Sequence, residues 1–146
     1  MTTHLLDVNA LIALLWEDHP FHGKASTWFS RHAQAGWSTC AITQSGFVRV
    51  MNQPALAARQ RTVPELADQL LHSLAHPAHR LLALDFSFDD VLRACTGGVV
   101  GHRQVTDAYL LTAAMRAGMK LLTFDSGLGT LLASSAERSA HIELLH

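Results

Sequence analysis

The sequence predicts an α/β fold with a central, mostly parallel sheet, and three observations carry that reading. Short segments such as 3–7 and 120–124 hold consecutive apolar residues, the mark of strands covered on both faces. Segments of helical periodicity separate these strand candidates, and such alternation implies right-handed parallel crossovers. Finally, Asp7, Asp107 and Asp125 each sit against an apolar run, where an open parallel sheet would deliver them to the crevice beyond its carboxyl ends.

Each element follows in order. Residues 3–7 read as the first strand, and the apolar stretch 10–16 as a helix that Asp7 or Asn9 can start by satisfying free amides. Pro20 begins a second helical segment, in which Ala25, Trp28, Phe29 and His32 recur at helical spacing. Ala35-Gly36 ends it. Residues 37–41 form a short strand, and 43–51 a helix with Phe47, Val50 and Met51 on one face. Asn52-Gln53-Pro54 breaks the pattern. Pro64 sits at a first helical position before 65–74. Residues 79–84 read as a strand and 87–90 as the start of a short helix. Gly97, Gly98 and Gly101 mark a loop. A helix over 105–117, a strand over 120–124, a turn of helix near 128–132 and a last strand over 141–145 complete the series. No linker, repeat or low-complexity segment interrupts it, so residues 1–146 are expected to form one domain.

Bulk properties narrow the function. A chain of 146 residues with 49% hydrophobic and 16% charged residues suits one substantial core and excludes a disordered chain. Eleven basic against twelve acidic residues, a net charge of −1, argue against holding nucleic acid by bulk charge alone, though local basic patches stay open. Ten histidines make the true charge sensitive to pH below about 7. The start of the chain lacks the features of a signal peptide, and no apolar run reaches the roughly 20 residues of a membrane span. The expected location is cytoplasmic, with no membrane partner, and Cys40 and Cys95 are expected to be reduced and buried.

Three carboxylates gathered at one sheet edge are costly unless something positive binds them, and clustered carboxylate oxygens suit Mg²⁺ or Mn²⁺. The residues therefore point to a metal-dependent enzyme acting on phosphate esters. Taken singly, the bland readings are that Asp7 caps a helix, Asp107 lies on a solvated face and Asp125 starts a turn.

The segment 5–14, Leu-Leu-Asp-Val-Asn-Ala-Leu-Ile-Ala-Leu, resembles the opening motif of PIN-domain ribonucleases. Thr106-Asp107-Ala108-Tyr109-Leu110-Leu111 resembles their central acidic helix, and Leu122-Thr123-Phe124-Asp125 their late strand-end acid. Order and spacing are similar to small stand-alone members, mostly VapC-type toxins of toxin–antitoxin pairs. Segments 43–50 and 101–107 resemble one VapC-type subgroup. The resemblance spans nearly the whole chain. It implies a PIN-like three-layer sandwich, a central parallel sheet between helices, with Mg²⁺ or Mn²⁺ held by Asp7, Asp107 and Asp125 as both metal-binding and catalytic residues. It further implies RNA as substrate (often tRNA or ribosomal RNA), a cognate VapB-like antitoxin that covers the site, and a homodimer. Where many PIN domains carry a glutamate, this chain has Gln44, which brings no charge to a cation. One metal still fits three carboxylates; tight binding of a second is disfavoured.

Around the acids, Asn9, Gln44 and Thr123 are candidates to orient carboxylates, although Asn9 can equally start a helix and Thr123 simply suits a strand. Arg49, His102 and Arg103 are candidates for RNA contact. If its helix reaches back far enough, Arg103 shares a face with Asp107 and can bind phosphate or pair with the acid. Arg59 and Arg61 could add a patch that tracks the backbone of RNA. His19 and His22 have metal-ligand spacing but no third ligand nearby. Trp28, Phe29 and Trp37 read as core or dimer packing rather than base platforms. Two other functions compete: a catalytically degenerate PIN domain that binds RNA or a protein partner, supported by Gln44, and a DNA nuclease or phosphatase of another α/β fold. The phosphatase lacks an Asp-x-Asp, since Val8-Asn9 follows Asp7.

Overall fold

The computed structural model describes residues 1–56 and 60–146. Five strands, β1 (His4–Leu6), β2 (Trp37–Cys40), β3 (His79–Leu82), β4 (Lys120–Thr123) and β5 (Ile142–Leu144), form one sheet in the order β3-β2-β1-β4-β5. Every pairing is parallel, so the sheet is wholly rather than mostly parallel. The chain works outward from β1 to β3 on one side and then returns to add β4 and β5 on the other. The direction of winding therefore reverses between β1 and β4, the switch point at which open α/β sheets leave a crevice.

Adjacent leucines of the central strands separate the two layers. Leu6 and Leu122 pack with α1 (Val8–Leu15), α2 (His22–His32), α3 (Ala41–Met51) and α4 (Val63–Leu74) through Leu11, Trp28, Phe47 and Leu66. Leu5 and Leu121 face the other way, against Val91 of α5 (Phe88–Ala94), Leu111 of α6 (Val105–Arg116) and the buried Leu128 and Leu131. This is the alternation that a doubly covered strand needs. Each fully buried leucine contributes about 1.5–3 kcal/mol relative to exposure. Trp28 and Trp37 are buried core residues, as are Cys40 and Cys95, both free thiols.

Local signals explain most element boundaries. The Asp7 carboxylate accepts from the Ala10 N–H at 2.7 Å and caps α1, so Asp7 rather than Asn9 starts that helix. Thr62 caps α4 through the Glu65 N–H, which leaves Pro64 in the first turn, where its missing N–H costs nothing. Gly36 ends the α2 region with a φ of 118°, a conformation open to glycine. Gly46 is buried where a Cβ would lie 2.7 Å from Val8 Cγ2, so α3 approaches the start of α1 more closely than any side chain allows.

Some expectations are corrected. The second helix begins at His22 rather than Pro20, after Phe21. The strand expected over 79–84 stops at Leu82. A helix, α7 (Ser135–His141), precedes β5 and takes the first residue of the strand expected over 141–145. Among the described residues no helix is long and apolar enough to cross a membrane.

Candidate active site

Asp7 directly follows β1, and its N–H donates to Leu122 O at 3.1 Å, prolonging the pairing of β1 with β4. Asp125 stands just beyond β4, and Asp107 lies in the first turn of α6. All three reach the same side of the β1–β4 switch point, close enough for their charges to act on one another.

Their surroundings differ. Asp7 is only 4% exposed. Burial pushes its pKa up to about 6, against the pull of hydrogen bonds from the Thr123 hydroxyl and the Ala10 N–H; the like charges of Asp107 and Asp125 raise it further. Asp107 is half-buried, and burial and then Asp125 raise its pKa as well. Asp125 is exposed, and its Oδ1 accepts the Gly127 N–H at 2.8 Å. The capping and turn readings of Asp7 and Asp125 are thus correct, but as part of the cluster rather than instead of it. Among the described residues no lysine, arginine or histidine forms an ion pair with any of the three. A half-buried group of like charges with no counterion favours a bound cation.

The donor set fits a hard divalent ion in its chemistry. No three His, Cys, Asp or Glu side chains among the described residues close into a ready cage. Carboxylate oxygens suit Mg²⁺ or Mn²⁺, and Mg²⁺ keeps several waters while taking only one or two carboxylates.

The neutral polar candidates divide. Thr123 is fully buried; its hydroxyl donates to Asp7 and accepts the Asp125 N–H at 3.0 Å, so it fixes two acids at once. Gln44 instead turns its amide to Thr39, donating to Oγ1 at 2.9 Å. Thr39 then lies 2.8 Å from His79 Nε2. Asn9 is exposed and makes no hydrogen bond to the acids.

Arg49, His102 and Arg103 are all exposed. Arg103 lies in a 3₁₀ turn, His102–Gln104, that runs directly into α6 rather than in α6 itself. Arg61 donates to Gln69, whose amide in turn donates to Leu15 O, and Arg59 lies outside the described residues. His22 Nδ1 lies 2.8 Å from Ala13 O, and His19 Nδ1 accepts the Phe21 N–H; among the described residues the pair belongs to no metal cluster. A cavity of about 510 Å³ lined by Leu14, Phe29, Trp37 and His76 is walled by rings and committed histidines, since His76 Nδ1 accepts from Trp37 and Ala78. Local sequence pattern does not single out Gln104 and Thr130, which link the segments bearing Asp107 and Asp125 through a 3.0 Å hydrogen bond. The one sequence signal for Gln104 is its place three residues after Gly101, at the start of α6.

A parallel α/β domain that gathers three carboxylates at its switch point, with no cationic partner among the described residues, defines a fold with an acidic site. More particularly, the chain belongs to the PIN domain family, whose model matches residues 4–131. It is similar to Ribonuclease VapC38 of Mycobacterium tuberculosis, with 45% identity over 129 residues, 87% of this chain and 88% of that protein. Ribonuclease VapC39 of the same organism is 38% identical over 131 residues, 86% of this chain and 91% of the relative. In structure the chain is similar to VapBC2 from Rickettsia felis bound to a promoter DNA fragment, with a TM-score of 0.65 at 10% identity over 99% of this chain and 100% of that one. That likeness establishes the fold.

Proposed function

We propose that residues 1–146, as one PIN-like domain, hydrolyse RNA phosphodiester bonds as a VapC-type endoribonuclease dependent on Mg²⁺ or Mn²⁺. The observation that carries this is the Asp7–Asp107–Asp125 cluster, which has no cationic partner among the described residues and in which Thr123 links Asp7 to Asp125. The names of the relatives support RNA as the substrate. A divalent ion there would polarise the phosphoryl oxygen and make water a better nucleophile. Asp7, Asp107 and Asp125 would hold it, and Thr123 would keep the first and last of these in register. Exposed Arg49, His102 and Arg103 are free to meet phosphate. Val100, 91% exposed in the loop before α6, and Val105, 40% exposed as the first residue of α6, support a VapB-like antitoxin seated over this edge. A homodimer belongs to the same reading.

The test is cleavage of RNA by purified, antitoxin-free protein with Mg²⁺ or Mn²⁺, with EDTA, and beside Asp7→Asn. Discrete fragments that require both metal and Asp7 are expected. A second reading, an RNA or protein binder without catalysis, draws on the neutral Gln44 and its bond to Thr39. It predicts RNA binding unaffected by EDTA and no fragments from folded wild type.

A further inference from the structure

Asp107 and Asp125 stand on segments that no strand pairing joins. The loop before α6 and the turn after β4 are instead fastened to each other directly. Gly97 N–H donates to Leu131 O at 2.8 Å, and Ala133 N–H to Thr96 Oγ1 at 2.9 Å. A Cβ on Gly97 would sit 2.2 Å from Thr130 O, so the two backbones are in contact.

The third fastening joins two side chains. Gln104 Oε1 accepts the N–H groups of Val100 at 2.8 Å and Gly101 at 3.2 Å. With its oxygen so committed, the amide must turn its NH₂ to Thr130, whose Oγ1 accepts at 3.0 Å. The same hydroxyl spends its proton on Gly127 O at 2.9 Å. Gly127 N–H in turn holds Asp125 Oδ1 at 2.8 Å. A series of contacts therefore runs from the start of the Asp107 helix through Gly127, by its O and its N–H, to the carboxylate of Asp125. A glutamate at 104 could not donate to Thr130, and it would bring another negative charge toward the acids.

We propose that Gln104 and Thr130 form a strap that sets the Asp125 carboxylate against Asp107, making both of them positioning residues for the carboxylate site. The role rests on the reading that these acids hold a divalent cation.

The test uses the full chain and Mn²⁺ itself as probe. Thr130→Val keeps the shape of the side chain but neither accepts from Gln104 nor donates to Gly127. It is expected to weaken Mn²⁺ binding, measured by calorimetry, and to lower kcat on RNA, each by about tenfold, the usual scale for partners that orient metal-binding carboxylates. KM is expected to stay within about twofold and the melting temperature to hardly move. Thr130→Ser retains the hydroxyl and is expected to restore both values. If Thr130→Val folds poorly, Gln104→Met, near-equal in length and without polar atoms to share, decides the same question. Mn²⁺ bound as tightly by these variants as by wild type overturns the strap alone, as does a Thr130→Ser protein that stays impaired. Wild type that binds no Mn²⁺ overturns the carboxylate-site reading and the strap with it.

Discussion

His4 and Asp7 bracket one three-residue strand, and both are almost wholly buried, at 2% and 4% exposure, yet their surroundings treat charge in opposite ways. His4 Nε2 meets the Glu143 carboxylate at 3.1 Å and packs edge-on to Trp28 at 4.9 Å. Burial lowers its pKa while Glu143 opposes the shift, so the histidine stays neutral at pH 7 beside a partner that could answer its charge. Asp7 has the reverse arrangement. Its charged neighbours are two more acids, and burial alone already disfavours its ionised form. One end of β1 pairs its buried group with an opposite charge, although among the described residues His4 Nδ1 and Trp28 Nε1 lack hydrogen-bond partners. The other end sets its buried group among like charges. Such incompleteness is costly in a folded protein and supports the proposal that function resides at this end.

The largest expected effect breaks the incomplete end. Asp7→Asn should lower RNA cleavage by about a thousandfold or more, because a cation at the site is worth several kcal/mol in the transition state. Single-turnover assays with saturating Mn²⁺ would reveal it.

The same substitution should stabilise the protein without metal. A folded pKa of about 6 against an ordinary 3.8 means that the native state holds the proton more tightly. The contribution of Asp7 is therefore fully favourable below about pH 4. It is lost as pH rises through 6, and by pH 7 the cost is on the order of 3 kcal/mol. Asparagine still caps α1, since it too accepts from the Ala10 N–H. Denaturant unfolding at pH 4 and pH 7 in EDTA should show Asp7→Asn gaining on wild type as pH rises. A constant gap would mean that burial does not disfavour this charge.

Gly46→Ala probes the packing that supports Asp7 from behind. The added methyl would meet Val8 Cγ2 at 2.7 Å, and overpacking of this kind costs about 1–3 kcal/mol, partly offset by better helix propensity. A fall in melting temperature checks it.

The smallest effect belongs to the His4 end. Glu143→Gln removes only the charge of a partner that is 40% exposed, so stability should change by only about 0–1 kcal/mol and cleavage not at all. A large loss of activity would erase the contrast between the two ends.

Much of this is legible in the sequence because it depends on local pattern. Leu5-Leu6 and Leu121-Leu122 announce strands with two buried faces, and Asp7, Asp107 and Asp125 stand at the boundaries of periodic segments. The α7 helix is not legible, since 135–141 carries only alanines and polar residues and shows no apolar face. Its one signal is Ser134 followed three residues later by Glu137, whose N–H the serine does cap. Thr123 stands out by its place beside Asp125, but the pairing that lets one hydroxyl serve two acids belongs to the β1–β4 register. Gln44 stands where the resemblance leads one to expect a glutamate, yet its amide is turned to Thr39 by packing that no local pattern encodes. Gln104 and Thr130 are 26 positions apart in the chain, and only tertiary structure brings them together.

The most direct test is thermal unfolding of wild type and Asp7→Asn at neutral pH, each in EDTA and in Mn²⁺. A ligand that binds only the native state raises the melting temperature. Without metal, Asp7→Asn should melt above wild type, and Mn²⁺ should raise wild type markedly while moving the variant little. Equal shifts in both proteins, or none in wild type, would contradict the claim that Asp7 is a buried charge completed by a cation.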